Sequence, residues 1–251
     1  MIDVVIIHRN ESSERENNLR YALSCYRKQL PNSKIILSET DTETDNEEIK
    51  KNVNIHLKIK SNSIDFCRAL ALNEGFKMVT ADYVLFADND CIIDESFFLN
   101  IENNIGLLDE NIIIPYLRGV IYLTENETNL ILENNKKFSE VEDIEHRNPI
   151  IQVGGVFLIK TEYYKNIGGF DPRFIGWGGE DDAFFYKAKH FHNILRLNYN
   201  VYHLYHHAKH SQNLGHEHFN NNVSMRKEYG VFNKEETIKK INEIGFNHLI
   251  S

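Results

Sequence analysis

Three short segments hold most of the residues able to do chemistry. Gly176-Trp177-Gly178-Gly179-Glu180-Asp181-Asp182 sets an indole among glycines and follows it with three acids. Glycine lets backbone come close to a ligand, and the indole offers a flat apolar face on which a sugar ring can stack. Acids opening a helix gain about 0.3–1 kcal/mol each from its dipole, so one or two of them could be capping alone. Capping leaves the Trp between glycines unexplained. Asp88-Asn89-Asp90 follows the apolar run Tyr83 to Ala87. Alternating acids at a strand end reach a divalent cation and, through it, a diphosphate. The competing reading is a turn in which Asp and Asn bond to nearby backbone. In His203-Leu204-Tyr205-His206-His207, the first and fourth residues are close enough to share one cation. Imidazole beside carboxylate suits Mn²⁺ or a similar borderline ion better than Mg²⁺. Here the competing reading is a set of exposed histidines, because His210, His216 and His218 follow without order.

These residues need elements to hold them. Residues 2–7 read as a buried β-branched strand, and Leu19, Leu23, Tyr26 and Leu30 give helical spacing from Ser13 to Leu30. A second strand is expected at Lys34 to Leu37, an acid-rich solvated loop at 39–52 and a third strand at 53–59. A helix over 63–78 carries Ile64, Phe66, Cys67, Leu70 and Ala71, and 83–87 is a wholly apolar strand of the kind a parallel sheet buries. That alternation predicts a doubly wound α/β sheet, with Asp88-Asn89-Asp90 leaving a strand at its carboxyl end, where such sheets bind ligands. Beyond it we expect a helix at 95–107, a strand at 112–118, a patternless polar stretch at 124–148 and a strand at 150–159. Thr161 reads as the N-cap of a short helix ending at Gly168-Gly169. A helix from Glu180 to about His190, a strand at 194–202 and a surface helix from Lys234 to Phe246 complete the pattern.

Composition narrows the classes. The chain has 251 residues, 41% hydrophobic and 26% charged, with no linker-like stretch or repeat, which points to a single domain. A formal charge of −9 without a basic patch argues against nucleic acid as a partner. Three widely spaced cysteines do not make a disulfide scaffold, and they suit a reducing compartment. There is neither an apolar run long enough for a transmembrane segment nor the plan of a signal peptide. The expectation is a soluble cytoplasmic protein, with peripheral membrane association left open.

Taken in order, Gly154-Gly155-Val156, Ile167-Gly168-Gly169-Phe170 and Gly176 to Asp182 resemble the signature block of β-1,4-galactosyltransferases and their bacterial relatives. Upstream, Arg9-Asn10 resembles that family's nucleotide-binding turn, and Phe66 to Phe76 is similar to its Phe-Asn-Arg-Ala-x-Leu-Leu-Asn-x-Gly-Phe helix. Asp88-Asn89-Asp90 falls on its Asp-Val-Asp, and His203 to His206 on its metal segment. The resemblance implies an α/β GT-A fold: a Rossmann-like nucleotide-binding half (about 1–92), with a mixed central sheet, merged with an acceptor, metal and lid half (about 93–251). It also implies a metal-dependent, inverting transferase moving a hexose of the galactose or N-acetylhexosamine type from a UDP-sugar to a saccharide hydroxyl. On that reading Asp90, His203 and His206 hold Mn²⁺, or Mg²⁺ as the alternative, with Asp88 nearby contacting the ribose or an ordered water. Arg9, Phe66 and Arg68 hold uridine and phosphate, while Trp177 and Gly155 line the sugar site. Asp181 is the base and Glu180 positions substrate by hydrogen bonds. Residues 207–222 are expected to form a lid, and 124–148 to shape the acceptor side. Two departures stand out: Glu11 replaces the turn's second Arg, and Gln152 is not the usual residue near the donor sugar. Two other classes remain, a nucleotide-sugar-binding protein without turnover and a nucleotidyltransferase. The intact acids argue against the first, and the lack of a Gly- and basic-rich loop over Ile6 to Ser13 against the second.

Overall fold

A computed structural model of the chain describes residues 1–61, 63–141, 151–207 and 217–244. The first strand, β1 (Ile2–His8), is buried throughout. Asp3 is tolerated there because its carboxylate accepts from the Thr80 and Ala81 N–H groups and pairs with Lys34 at 3.3 Å. Helix α1 (Ser13–Gln29) begins where Ser12 accepts from the Arg15 N–H, and it packs Leu19, Leu23 and Tyr26 into the core. Strand β2 (Ile35–Thr40) runs three residues further than expected, and α2 (Glu47–Asn52) occupies part of the segment read as a solvated loop. Glu39 can be buried because Thr42, Thr44 and His56 surround its carboxylate. Helix α2 has Asn46 as its cap and only Ile49 buried, too little for a periodic signal.

Strand β3 (Ile55–Ile59) precedes α3 (Arg68–Phe76), which is shorter than the expected 63–78 helix. Ser61 bonds to Asp41, and the Asp65 N–H bonds to Ser63, so side chains hold Ser61 and 63–65 out of the helix and leave Ile64 exposed. Next come β4 (Tyr83–Asp88) and the unanticipated β5 (Cys91–Ile93). The expected 95–107 helix is two, α4 (Glu95–Leu99) and α5 (Ile101–Gly106), broken at Asn100. Strand β6 (Asn111–Ile114) stops at Pro115, which lacks a backbone donor. Short β7 (Ile121–Tyr122) and α6 (Glu125–Leu132) lie in sequence that showed no pattern, although Thr124 and Glu127 form a capping box. Residues 142–150 lie outside the described set.

Strand β8 (Val156–Lys160) starts later than 150 because Gly154 and Gly155 take φ of +94° and +72°, outside strand geometry. In α7 (Thr161–Ile167) Thr161 is the first helical residue rather than the cap, and its hydroxyl donates to the Ala81 carbonyl. Gly168 ends that helix as expected, at φ +76°. Helix α8 (Glu180–Ala188) follows, and the single strand expected at 194–202 is β9 (Asn193–Arg196) and β10 (Val201–His203), which belong to different sheets. Helix α9 (Phe219–Val231) was not anticipated, and α10 (Lys234–Ile244) was.

The main sheet runs β3-β2-β1-β4-β8-β6-β9 and a smaller one runs β5-β10-β7. Strands β3, β2, β1 and β4 are parallel, whereas β8 is antiparallel to β4 and β6, so the sheet is mixed. Parallel register sets Ile7 beside Asp88, which brings the turn after β1 and the acids after β4 to one edge. In the small sheet His203 pairs with Cys91, next to Asp90. No helix among the described residues is long and apolar enough to cross a membrane.

Candidate active site

A cleft of about 980 Å³ opens at that edge, lined by residues from both sheets and from the 176–182 loop. One corner gathers residues able to ligate a cation. Pairing of β10 with β5, together with a 2.8 Å bond from the Leu204 N–H to the Asp90 carbonyl, fixes the histidine segment over Asp90. His203 Nε2 is 3.5 Å and His206 Nε2 is 3.2 Å from the carboxylate oxygens of Asp90, which is 3% exposed. Burial alone would raise that carboxyl, but His203, His206 and Arg15 outweigh it and hold Asp90 well below the usual carboxylate range. An ionised carboxylate facing two imidazoles is a fitting donor set for a borderline divalent ion. Cys91 also lies near Asp88 and Asp90, but burial and the two acids push its thiol far up, which makes it a poor ligand.

The other corner is organised by Arg68. Its Nε and Nη2 reach Asp88 at 3.0 and 2.9 Å, its Nη1 reaches Asp181 at 2.5 Å, and Glu180 lies 3.9 Å away. Three carboxylates thus share one guanidinium. Burial and mutual repulsion raise Asp88, Glu180 and Asp181 above the ordinary range against the pull of Arg68, Asp181 most of all. Glu180 also accepts from the Gly178 N–H at 3.3 Å. Asp182 turns away and pairs with Arg226 at 3.2 Å. Gly154 makes this packing possible, because a Cβ there would lie 2.0 Å from Asp181 Oδ2.

The remaining expected residues line the same cleft in different ways. Trp177 is 47% exposed and stacks parallel to Phe219 at 5.9 Å. The Phe66 carbonyl accepts from the Gly176 N–H, tying the helix entry to the glycine loop. Gly155 contributes its carbonyl, which accepts from the Asp88 N–H at 2.8 Å. Arg9 pairs with Glu11 at 3.5 Å, and its Nε and Nη1 make no hydrogen bond among the described residues. Arg68, expected to hold nucleotide, spends its donors on Asp88 and Asp181. Gln152 points its amide at the Tyr122 hydroxyl, 3.3 Å away. Of the expected 207–222 lid, 208–216 lie outside the described residues and 219–222 begin α9.

Among the lining residues that escaped the sequence reading, two stand beside the Asp90–His203 corner. Arg15 reaches to 3.9 Å from both Asp90 and Glu11, bringing a second guanidinium near the turn that lacks its second Arg. Its signal was a basic residue in the first turn of a helix, where the dipole favours acids. Tyr122 packs its ring on His203 at 4.8 Å, and nothing in its surroundings in sequence marks it.

No curated protein matches the chain. Among solved structures it is similar to GalNAc-T7, crystallised with UDP, GalNAc and Mn²⁺, with a TM-score of 0.65 and 17% identity over 97% of this chain. It is also similar to residues 1–349 of S. aureus TarS in complex with UDP-GlcNAc, with a TM-score of 0.61 and 16% identity over 97% of this chain. The chain spans 54% of the GalNAc-T7 chain and 71% of the TarS chain. Residues 137–210 match the family described as the N-terminal domain of galactosyltransferase. With residues 3–168, well over half its length, matching glycosyl transferase family 2 on a mixed GT-A sheet, the chain belongs to that glycosyltransferase family.

Proposed function

We propose that the protein is a metal-dependent, inverting hexosyltransferase that uses a UDP-sugar of the galactose or N-acetylhexosamine type and a saccharide hydroxyl as acceptor. One observation carries the reading: the Asp90–His203–His206 corner and the Asp181 corner face a single cleft, joined by the Asp88–Arg68–Asp181 chain. The nucleotide complexes of GalNAc-T7 and TarS support the donor class.

Asp90, His203 and His206 would hold the ion, Mn²⁺ by preference and Mg²⁺ as the alternative. When bound, it supplies positive charge against the diphosphate leaving group. Arg9 and Phe66 take the uridine side, and Arg68 holds Asp88 toward the ribose. The Trp177 face and the backbone at Gly155 bound the sugar. Asp181 takes the proton from the attacking hydroxyl, and its raised carboxyl makes it a stronger base than an ordinary aspartate. Glu180, fixed by the Gly178 N–H, orients substrate hydroxyls. A base set for in-line attack gives inversion. In this reading the chain is one domain with a donor half to about residue 92, and its three unpaired cysteines fit a reducing cytoplasm.

The test is UDP release from UDP-galactose, UDP-GalNAc and UDP-GlcNAc with an acceptor panel, with Mn²⁺ and with excess EDTA, and NMR of the product anomer. Mn²⁺-dependent transfer with inverted configuration is expected. Full rate in EDTA, or retained configuration, overturns the mechanism.

A further inference from the structure

A second set of metal-capable side chains joins two segments far apart in sequence. Asp65, Glu217 and His218 each present a ligand atom, and the three atoms lie within 4.8 Å of one another. None of the three lines the donor cleft. Asp65 stands in the irregular stretch before α3, and His218 immediately precedes α9.

Asp65 is the informative member. It is 7% exposed, yet among the described residues its carboxylate makes no hydrogen bond or ion pair, and its own N–H is bonded to Ser63. A buried carboxylate normally has a partner, because losing hydration without compensation is costly. Glu217 aggravates the problem. It lies 3.0 Å from His218 Nε2 and adds a second negative charge beside Asp65. Two carboxylates this close repel each other, and a metal ion among them would relieve that repulsion.

The donor set suits a borderline ion that takes nitrogen and oxygen ligands at about 2.0–2.2 Å, which is the habit of Zn²⁺. Two atoms on such a tetrahedral ion stand roughly 3.4 Å apart, between the 3.0 Å that separates Glu217 from His218 Nε2 and the 4.8 Å within which all three ligand atoms lie. Glu217, with its side chain 74% exposed, is free enough of packing to adjust. Water would fill the fourth position.

The location gives the ion a task. Phe66, beside Asp65, lines the cleft and accepts from the Gly176 N–H, while Phe219, beside His218, stacks on Trp177. We propose that Asp65, Glu217 and His218 form a second divalent-cation site, of the Zn²⁺ class. It fastens the start of α9 to the segment before α3 and braces the Trp177–Phe219 wall from behind. This site stands on its own geometry, whatever reaction the cleft performs.

Calorimetry with Zn²⁺ alone tests it, on untagged, chelator-stripped full chain in a His203→Ala/His206→Ala background that removes the first site. The background should bind one Zn²⁺ per chain and gain melting temperature with it. Adding Asp65→Asn, or separately His218→Ala, should weaken that ion at least tenfold and abolish the gain. Without metal, Asp65→Asn should melt no lower than the background, since among the described residues that carboxylate has no bonded partner to lose. No Zn²⁺ bound by the background overturns the proposal. So does an ion held undiminished in both variants, which would place it on other histidines. A lower metal-free melting temperature in Asp65→Asn overturns it as well, because the carboxylate would then have a partner within the protein.

Discussion

Gly154→Ala puts a methyl group where the Asp181 carboxylate lies. The added Cβ would stand 2.0 Å from Oδ2, 2.3 Å from Cγ and 2.8 Å from Oδ1. Non-bonded carbon contacts sit near ~3.5 Å, so the carboxylate must retreat by more than about 1 Å. Asp181 cannot do so and keep its bond to Arg68, which Asp88 anchors from the other side. Displacing a reacting group by ~1 Å costs roughly 10²-fold in rate, equivalent to about 2.7 kcal/mol. The backbone adds a separate cost, because φ of +94° at residue 154 disfavours any side chain by about 1–2 kcal/mol. At ~2–4 °C per kcal/mol for a chain of this size, melting should fall by roughly 2–8 °C. Gly168→Ala is the control. It has a comparable φ of +76° at the end of α7 and does not line the cleft, so it should lose stability and keep its rate. The assay is UDP release at saturating donor, acceptor and Mn²⁺, beside calorimetric UDP affinity. A kcat about 100-fold down in Gly154→Ala with UDP affinity within threefold is expected. A kcat within threefold of the parent, or an equal loss in Gly168→Ala, would refute the steric argument.

Asp181→Asn should lower kcat by about 10²–10⁴-fold with little change in UDP affinity, as expected for loss of a general base. Asp182→Asn should cost less, because that acid pairs with Arg226 outside the acid cluster; equal losses would shift the base elsewhere. Because Asp181 is raised by burial and by its acidic neighbours, kcat should climb with pH along a limb lying above the ordinary carboxylate range. A limb at ~4, the value of a free aspartate, would contradict the crowding seen here. EDTA should abolish transfer and Mn²⁺ restore it, read by UDP release. Burial pushes the Lys187 ammonium down to about 7 against the pull of Asp171, so the fold sheds a proton that the unfolded chain keeps until about 10.4. Stability should therefore rise from pH 7 toward 10 by up to ~1.4 kcal/mol per unit, and Lys187→Met should flatten that slope in urea unfolding. Parallel slopes in the two proteins would dismiss Lys187 as the cause.

Much of the first half of the fold was legible because its signals are local. The β-branched run at 2–7, the spacing of Leu19, Leu23 and Tyr26, and the apolar run 83–87 each bury a face that can be read within one element. Where side chains compete with backbone the reading slipped. Ser63 and Asp41 hold Ser61 and 63–65 out of α3, and Glu39 enters the core only because Thr42, Thr44 and His56 arrive from other segments. Capping at Thr124 was visible in principle, but one buried turn is a weak signal against a polar background.

The same division runs through the site. Residue types and order along the chain were enough to single out Asp88, Asp90, His203, His206 and the 176–182 loop, because glycines, an indole and clustered acids are informative as a set. Which of them meet was a tertiary matter. His203 comes over Asp90 only because β10 pairs antiparallel with β5, a contact spanning more than a hundred residues that no periodicity encodes. Arg68 was singled out only through the resemblance of Phe66 to Phe76 to a known helix, and its bonds to Asp88 and Asp181 depend on three separate elements ending at one edge of the sheet. The raised carboxyl of Asp181, the void at Gly154 that accommodates it and the approach of Arg15 to Asp90 have the same origin. Charge and burial act through space, at distances of 2.5–3.9 Å between charged groups in this cleft, and separation along the chain says little about either.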